Sequence, residues 1–167
     1  MMRLMGLAGW SGAGKTTLVA ALIPRLRRMG ATVSTIKHAH HAFDIDQPGK
    51  DSYVHREAGA QEVLVASAHR FALMHELRGA PEPPLSALLA RLAPVDIVII
   101  EGFKTDSHPK IEVHRIATGK DLIHPRDAQI LAIATDAPGP FPIPRFDIDD
   151  IEAIARWILT AALPAGL

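Results

Sequence analysis

Residues 9–17, with the sequence GWSGAGKTT, restrict the fold of this chain more than any other stretch. They match the pattern Gly-x-x-x-x-Gly-Lys-Thr, in which the backbone N–H groups of a tight loop surround phosphate oxygens. Glycine permits both the tight bend and the close approach of the backbone to a ligand. Because the pattern functions between a buried strand and the first turn of a helix, it predicts a phosphate-binding α/β fold.

The sequence on either side of this loop has the required character. Residues 3–8 are mostly apolar, and we interpret them as a buried strand rather than a secretion signal because they lead directly into the loop. Residues 15–29 carry leucine and isoleucine at helical spacing, with arginines in the last turns. A strand, a phosphate loop and an amphipathic helix therefore follow one another.

The rest of the chain continues to alternate strands and helices. We predict strands over 32–37, 95–100 and 129–135, helices over 51–59, 86–93 and 149–163, and an antiparallel pair over 62–67 and 70–76. This order predicts a single nucleotide-binding domain over residues 1–167. Its expected fold is the three-layer P-loop NTPase fold, with a mostly parallel central sheet and a short antiparallel β excursion.

The stretch PKIEVHR has a different pattern from the other strands. Polar and apolar residues alternate over 110–116, which predicts a half-exposed strand. An exposed strand of this kind could pair across a dimer, as could residues 70–76, or it could belong to an internal hairpin.

Composition excludes several classes of protein. Lysine plus arginine and aspartate plus glutamate number 18 each, so no overall basic field attracts nucleic acid or an anionic membrane. The chain has no cysteine, which excludes disulfides and thiolate chemistry and fits a cytoplasmic protein. No apolar stretch approaches the ~18 residues of a membrane span. We therefore expect neither nucleic-acid nor membrane binding.

The phosphate loop defines the first candidate site residues. We expect Lys15 to reach the β- and γ-phosphates of a nucleotide and the Thr16 hydroxyl to bind Mg²⁺. Glu101 follows the apolar strand 95–100, at the sheet edge where ligands bind, and is the best second group for the metal, directly or through a water. The remaining predicted nucleotide contacts in the loop are Gly9, Ser11, Gly12, Ala13, Gly14 and Thr17.

A histidine-rich segment follows the second predicted strand. His38, His40 and His41 could hold zinc or nickel, although we favour polar loop residues that serve substrate or phosphate. Asp46 could reach the Mg²⁺ or orient an attacking water, or it could be a turn residue before Gln47. The sequence leaves both alternatives open.

Several segments together carry a family resemblance. The phosphate loop is followed by KHAHH, GKDS, EAGA, EGFK and PKIEV, and with them the chain resembles the MobB family of molybdopterin-guanine dinucleotide biosynthesis accessory proteins over residues 3–163. The resemblance implies a homodimer that binds GTP with Mg²⁺, hydrolyses it slowly and assists MobA, the guanylyltransferase that joins GMP to molybdopterin. It also implies that residues 9–17 hold the phosphates, that Thr16 and Glu101 serve the magnesium, and that residues 38–51 lie near the nucleotide or the pterin.

The nucleotide and the reaction are less well defined by the residues themselves. The Asn-Lys-x-Asp signal for guanine is absent, and Asp136 could replace it or could be a turn residue. No arginine finger is evident, although Arg115 or Arg56 of a second subunit could act as one. Two other functions fit the same loop: a small-molecule kinase, and a GTP-dependent metallochaperone that uses His38, His40 and His41.

Overall fold

The computed structural model describes residues 2–39 and 43–165. The chain forms two compact units: a core unit, Met1–His38 with Leu85–Leu167, and a small unit, Ala39–Pro84. The single nucleotide-binding domain over residues 1–167 stays a prediction. None of the helices in the described residues is long and apolar enough to cross a membrane.

Strands and helices follow the alternating order that the sequence predicts. The strands are β1 Arg3–Ala8, β2 Val33–Lys37, β3 Glu62–Ala66, β4 Phe71–His75, β5 Ile97–Glu101, β6 Lys110–His114, β7 Ile130–Thr135, β8 Arg145–Asp147 and β9 Leu163–Pro164. The helices are α1 Lys15–Arg28, α2 Asp51–Glu57, α3 Leu85–Leu89 and α4 Ile151–Ala161.

The core unit is built on one mixed sheet with the strand order β2-β5-β1-β6-β7-β8. Neighbours along this order are parallel, and the short β9 adds antiparallel to the start of β1. The strand that precedes the phosphate loop therefore lies between β5 and β6, in the interior of the sheet. This position brings the ends of three strands together around the loop.

Helices cover both faces of this sheet. On one face α1 and α4 contribute the apolar side chains Leu18, Leu22, Leu26, Ile154 and Ile158 to a core shared with β1, β5, β6 and β7. On the other face α3 packs Leu85 and Leu89 against β1 and β5. The three layers confirm the predicted P-loop NTPase fold with its mostly parallel sheet.

Strand β6 contradicts the prediction of a half-exposed strand. It lies between β1 and β7, parallel to both, so it is neither a free edge nor part of a hairpin. Ile111 and Val113 join the α1 and α4 core, while Lys110 and Glu112 are 2% and 1% exposed. The alternation is real, but its polar residues have protein partners instead of water. The prediction that this strand pairs across a dimer is therefore wrong, and so is the alternative of an internal hairpin.

The small unit carries the predicted antiparallel pair. Strands β3 and β4 are in register from Glu62 opposite His75 to Ala66 opposite Phe71. Helix α2 precedes them in the same unit. Leu64 and Phe71 are 60% and 73% exposed, so part of this two-stranded sheet presents apolar side chains to its surroundings. The excursion predicted from the sequence is confirmed.

Candidate nucleotide site

The phosphate loop joins β1 to α1 in the geometry that its sequence predicts. Gly12 and Gly14 have positive φ values of 82° and 95°, which glycine adopts without the steric cost that other residues meet. Gly14 directly precedes α1. A Cβ atom at Gly9 would lie 2.5 Å from the carbonyl oxygen of Val113, so glycine is needed there for close packing on β6.

Lys15 is held against its own loop. Its Nζ donates hydrogen bonds to the carbonyl oxygens of Gly9 at 2.8 Å and Trp10 at 2.9 Å. Partial burial lowers the pKa of Lys15 below its usual value; Glu101 opposes this shift, and the charges of Lys104 and Lys37 reinforce it. Positive side chains from the ends of several strands therefore converge on the loop, which is the electrostatic setting that a polyphosphate requires.

Thr16 and Glu101 meet as the sequence predicts. The Thr16 Oγ1 donates to Glu101 Oε1 at 3.3 Å, because β1 and β5 are neighbours and Leu7 is in register with Glu101. Lys37, at the end of β2, places its Nζ 3.9 Å from the same carboxylate oxygen. A hydroxyl and a carboxylate are the hard oxygen ligands that Mg²⁺ prefers, and Mg²⁺ usually keeps several waters and takes phosphate oxygens as well.

The remaining loop residues differ in exposure. Ala13 is buried at 1%, so its side chain contributes to packing and only its backbone can serve a ligand. Ser11, Gly12 and Thr17 complete the turn and the first turn of α1. Trp10, 39% exposed, donates its indole N–H to the carbonyl oxygen of Asp121 at 2.8 Å, which fixes the outer side of the loop.

Arg115 lies beside the phosphate loop of its own chain. A Cβ atom at Gly14 would be 3.4 Å from Arg115 Nε. The guanidinium lies 3.9 Å from Asp136 Oδ2 and 3.6 Å from Asp149 Oδ1. Asp136 also accepts a hydrogen bond from the backbone N–H of Ile116 at 2.9 Å, so its carboxylate orders the loop after β6. The role of Asp136 in guanine binding stays a prediction.

The histidine cluster is only partly described. His38 follows β2, and its ring centroid lies 4.9 Å from that of Phe103. His40 and His41 lie outside the described residues. Across residues 2–39 and 43–165, no three histidine, aspartate or glutamate side chains are arranged to hold a metal ion.

Asp46 belongs to the small unit, where it has structural partners. Its Oδ1 accepts from Ser52 Oγ at 2.8 Å, and its Oδ2 is 3.2 Å from Arg56 Nε. Arg56 also pairs with Asp44 at 2.7 Å and Glu76 at 2.8 Å, and the hydrogen bonds that it donates to these carboxylates raise the pKa of Arg56 further above its usual range. These contacts stabilise the small unit; a role for Asp46 toward magnesium stays a prediction.

Sequence comparison gives a consistent set of relatives. The family model described as "Molybdopterin guanine dinucleotide synthesis protein B" matches residues 4–136. A molybdopterin-guanine dinucleotide biosynthesis adapter protein of Escherichia coli K12 is 40% identical over 164 residues, covering 95% of this chain and 93% of that protein. The adapter protein of Haemophilus influenzae is also 40% identical, over 158 residues, with 93% and 86% covered.

Solved structures share the architecture. A crystal structure of molybdopterin-guanine biosynthesis protein B superposes with a TM-score of 0.72 and 26% identity, over 94% of this chain and 98% of the other. The crystal structure of Bacillus subtilis MobB gives a TM-score of 0.73 at 22% identity, over 98% and 99%. The second likeness supports the fold alone.

Proposed function

Because the chain belongs to the molybdopterin guanine dinucleotide synthesis protein B (MobB) family, we propose that it acts as an adapter in the biosynthesis of that dinucleotide. In this role it binds GTP with Mg²⁺ at the phosphate loop and assists the guanylyltransferase MobA. The observation that carries the nucleotide proposal is the meeting of Thr16 and Glu101 beside the Lys15 ammonium.

The residues of the loop have distinct tasks in this proposal. The backbone N–H groups of residues 12–17 surround the phosphates at the positive end of α1. Lys15 exchanges the carbonyl oxygens of Gly9 and Trp10 for phosphate oxygens, which neutralise its charge better. Thr16 and Glu101, which now hydrogen-bond to each other, would hold Mg²⁺, and the ion would neutralise charge on the phosphates.

The contacts of the nearby arginine support slow hydrolysis in this proposal. Arg115 Nε lies 3.4 Å from the Cβ position of Gly14, but Asp136 and Asp149 both lie within ion-pair distance of the guanidinium. A guanidinium shared by two carboxylates stabilises the charge of a transition state less than an unpaired one. The proposed activity is therefore a weak GTPase rather than an efficient one.

A homodimer completes the proposal. The exposed apolar side chains of β3 and β4, Leu64, Phe71 and Leu73, support pairing of this surface with a second copy. Analytical ultracentrifugation of the wild type and Phe71→Ser tests this step. A dimer unaffected by Phe71→Ser excludes β3–β4 pairing and leaves the nucleotide proposal unchanged.

Calorimetric titration with GTP and ATP, each with Mg²⁺, tests the nucleotide proposal. We expect GTP to bind more tightly than ATP, Lys15→Ala to abolish binding, and Glu101→Gln to weaken the dependence on Mg²⁺ more than nucleotide binding itself. Lys120→Ala is the matched control, because Lys120 is exposed and lies outside the loop.

Each other outcome contradicts a defined part of the proposal. Affinity of Lys15→Ala within a few-fold of the wild type would show that the phosphate loop is not the site. An unchanged magnesium titration for Glu101→Gln would remove Glu101 from the metal site and make Asp46 the next residue to test. A preference for ATP would favour the small-molecule kinase, which a phosphate-transfer assay would then examine.

A further inference from the structure

A second cleft adjoins the phosphate loop inside the core unit. Its volume is 390 Å³, which is within the range of small-molecule sites. The loop after β5, the loop before β7 and the start of the phosphate loop contribute most of its lining residues. Its lining residues are Ala8, Gly9, Gly102, Lys104, Thr105, Lys110, Ile123, Arg126 and Asp127.

Lys110 is the most unusual residue of this cleft, because its side chain is only 2% exposed. Its Nζ donates to the carbonyl oxygen of Asp106 at 2.8 Å and to Asp127 Oδ2 at 3.1 Å. An ammonium group has three N–H donors, so these two bonds leave one N–H available in the described structure. Burial of a charge is costly unless that charge is fully paired, which makes an anion in the cleft favourable.

Two further cations line the same cleft. Lys104 has no carboxylate partner within residues 2–39 and 43–165, and its charge contributes to the lowered pKa of Lys15 in the phosphate loop. Arg126 is 3.6 Å from Asp121, in a pair whose side chains are 74% and 82% exposed and which is therefore weak. Among the described residues that line the cleft, Asp127 is the single acidic one. The cleft thus has an excess of positive charge, which attracts anions.

We propose that this cleft is a second anion site, which binds the phosphate group of a small phosphate monoester next to the phosphate loop. A monoester dianion matches the excess charge supplied by Lys104, Lys110 and Arg126. Ala8 and Ile123 provide an apolar wall for the organic part of the ligand. The cleft shares Gly9 with the phosphate loop, but its three cations lie outside residues 9–17, and the proposed site does not require a bound nucleotide.

The test uses the Lys15→Ala background, in which the phosphate loop no longer competes for the probe. Phenyl phosphate and inorganic phosphate are titrated separately by calorimetry into two proteins. The first is Lys15→Ala, and the second is a triple variant that adds Lys104→Gln and Arg126→Gln. We expect phenyl phosphate to bind the first protein, and each lost cation to weaken it by about tenfold. Lys104 and Arg126 are exposed, so these substitutions should leave the thermal unfolding midpoint unchanged.

A charge-matched control carries Lys120→Gln and Arg27→Gln in the same background. Both side chains are exposed and neither lines the cleft, so binding should change by less than about twofold. The proposal is overturned if Lys15→Ala does not bind phenyl phosphate, or if the cleft and control variants weaken binding equally. Inorganic phosphate that binds as tightly as phenyl phosphate overturns the assignment to a monoester.

These outcomes are separate from those of the nucleotide proposal. GTP binding by the wild type, and its loss in Lys15→Ala, tests the phosphate loop without reference to the cleft. Monoester binding by Lys15→Ala tests the cleft without reference to GTP. Either proposal can therefore fail while the other holds.

Discussion

His108 should make the stability of this protein depend on pH in a defined window. The side chain is 4% exposed, and neither ring nitrogen has a hydrogen-bond partner in the described structure. Burial lowers the pKa of His108 from 6.5 to about 4, and the charge of Lys110 adds to this shift, whereas Asp106 and Asp127 oppose it. The folded protein thus keeps this imidazole neutral where the unfolded chain protonates it.

The sign and size of the effect follow from linkage. Between the unfolded pKa of 6.5 and the folded pKa of about 4, the unfolded state binds more protons, so stability falls as the pH falls. Above this window the His108 ring is neutral in both states and does not make stability depend on pH. From about pH 8 to about pH 5 the loss amounts to about 2 kcal/mol, since one pKa unit corresponds to about 1.4 kcal/mol.

Urea unfolding at a series of pH values measures this loss. His108→Leu removes the titrating group and both unpaired nitrogens, so its stability relative to the wild type should improve by about 2 kcal/mol on acidification from about pH 8 to about pH 5. His69→Leu is the control, because His69 lies exposed in the turn between β3 and β4. A difference in stability between His108→Leu and wild type that does not vary with pH would exclude His108 as the titrating group.

Two more substitutions test the neighbourhood of the sheet. Glu112, buried at 1%, accepts from two backbone N–H groups at 2.7 and 2.9 Å and lies 3.1 Å from His124 Nδ1. Glu112→Gln leaves one acceptor fewer, so it should lower the free energy of unfolding by about 2 kcal/mol and the thermal midpoint by about 4–8 °C. A shift of the midpoint smaller than about 1 °C would show that these hydrogen bonds contribute little. Gly102 has a φ of 103°, and a Cβ atom there would lie 2.4 Å from His38 Cβ. Gly102→Ala should therefore lower the free energy of unfolding in urea by about 2–3 kcal/mol. Gly119→Ala, at φ 61° in open space, is its control and should cost clearly less; equal losses would mean that the contact with His38 is unimportant.

Local patterns predicted the phosphate loop and its flanking elements well. The strand, the glycines and the amphipathic helix are adjacent in sequence, and β1 and α1 appear where the pattern places them. Residues 137–146 are too rich in proline for a helix, and the short β8 begins inside this stretch. A strand of three residues has too few positions to show a period.

The interpretation of β6 failed because an alternating pattern does not specify what the polar face meets. Lys110 and Glu112 bond to Asp127 and to the loop at residues 123–124, inside the protein instead of in water. Those partners come later in the chain, and their proximity depends on how the loop folds back over the sheet. Sequence periodicity carries no information about such a return.

The candidate site, like the fold, could be predicted from the sequence only in part. Thr16 and Glu101 could be paired from sequence because ligands of parallel sheets gather where the strands end. The sequence suggests Arg115 only as a residue of a second subunit, yet it lies against Gly14 of its own chain because β6 is next to β1. Lys104 and the cleft depend on that neighbour relation too, and a single sequence does not show which strand lies beside which.

The place at which the small unit interrupts the chain has an evolutionary consequence. Residues 39–84 are inserted in the chain between β2 and α3, and every strand of the main sheet comes from the core unit. Insertions, deletions or wholesale replacement between these points would leave each backbone ladder of the main sheet intact. Mutations in the two units can therefore accumulate under separate selection, so that a new recognition surface can arise on an unchanged core unit.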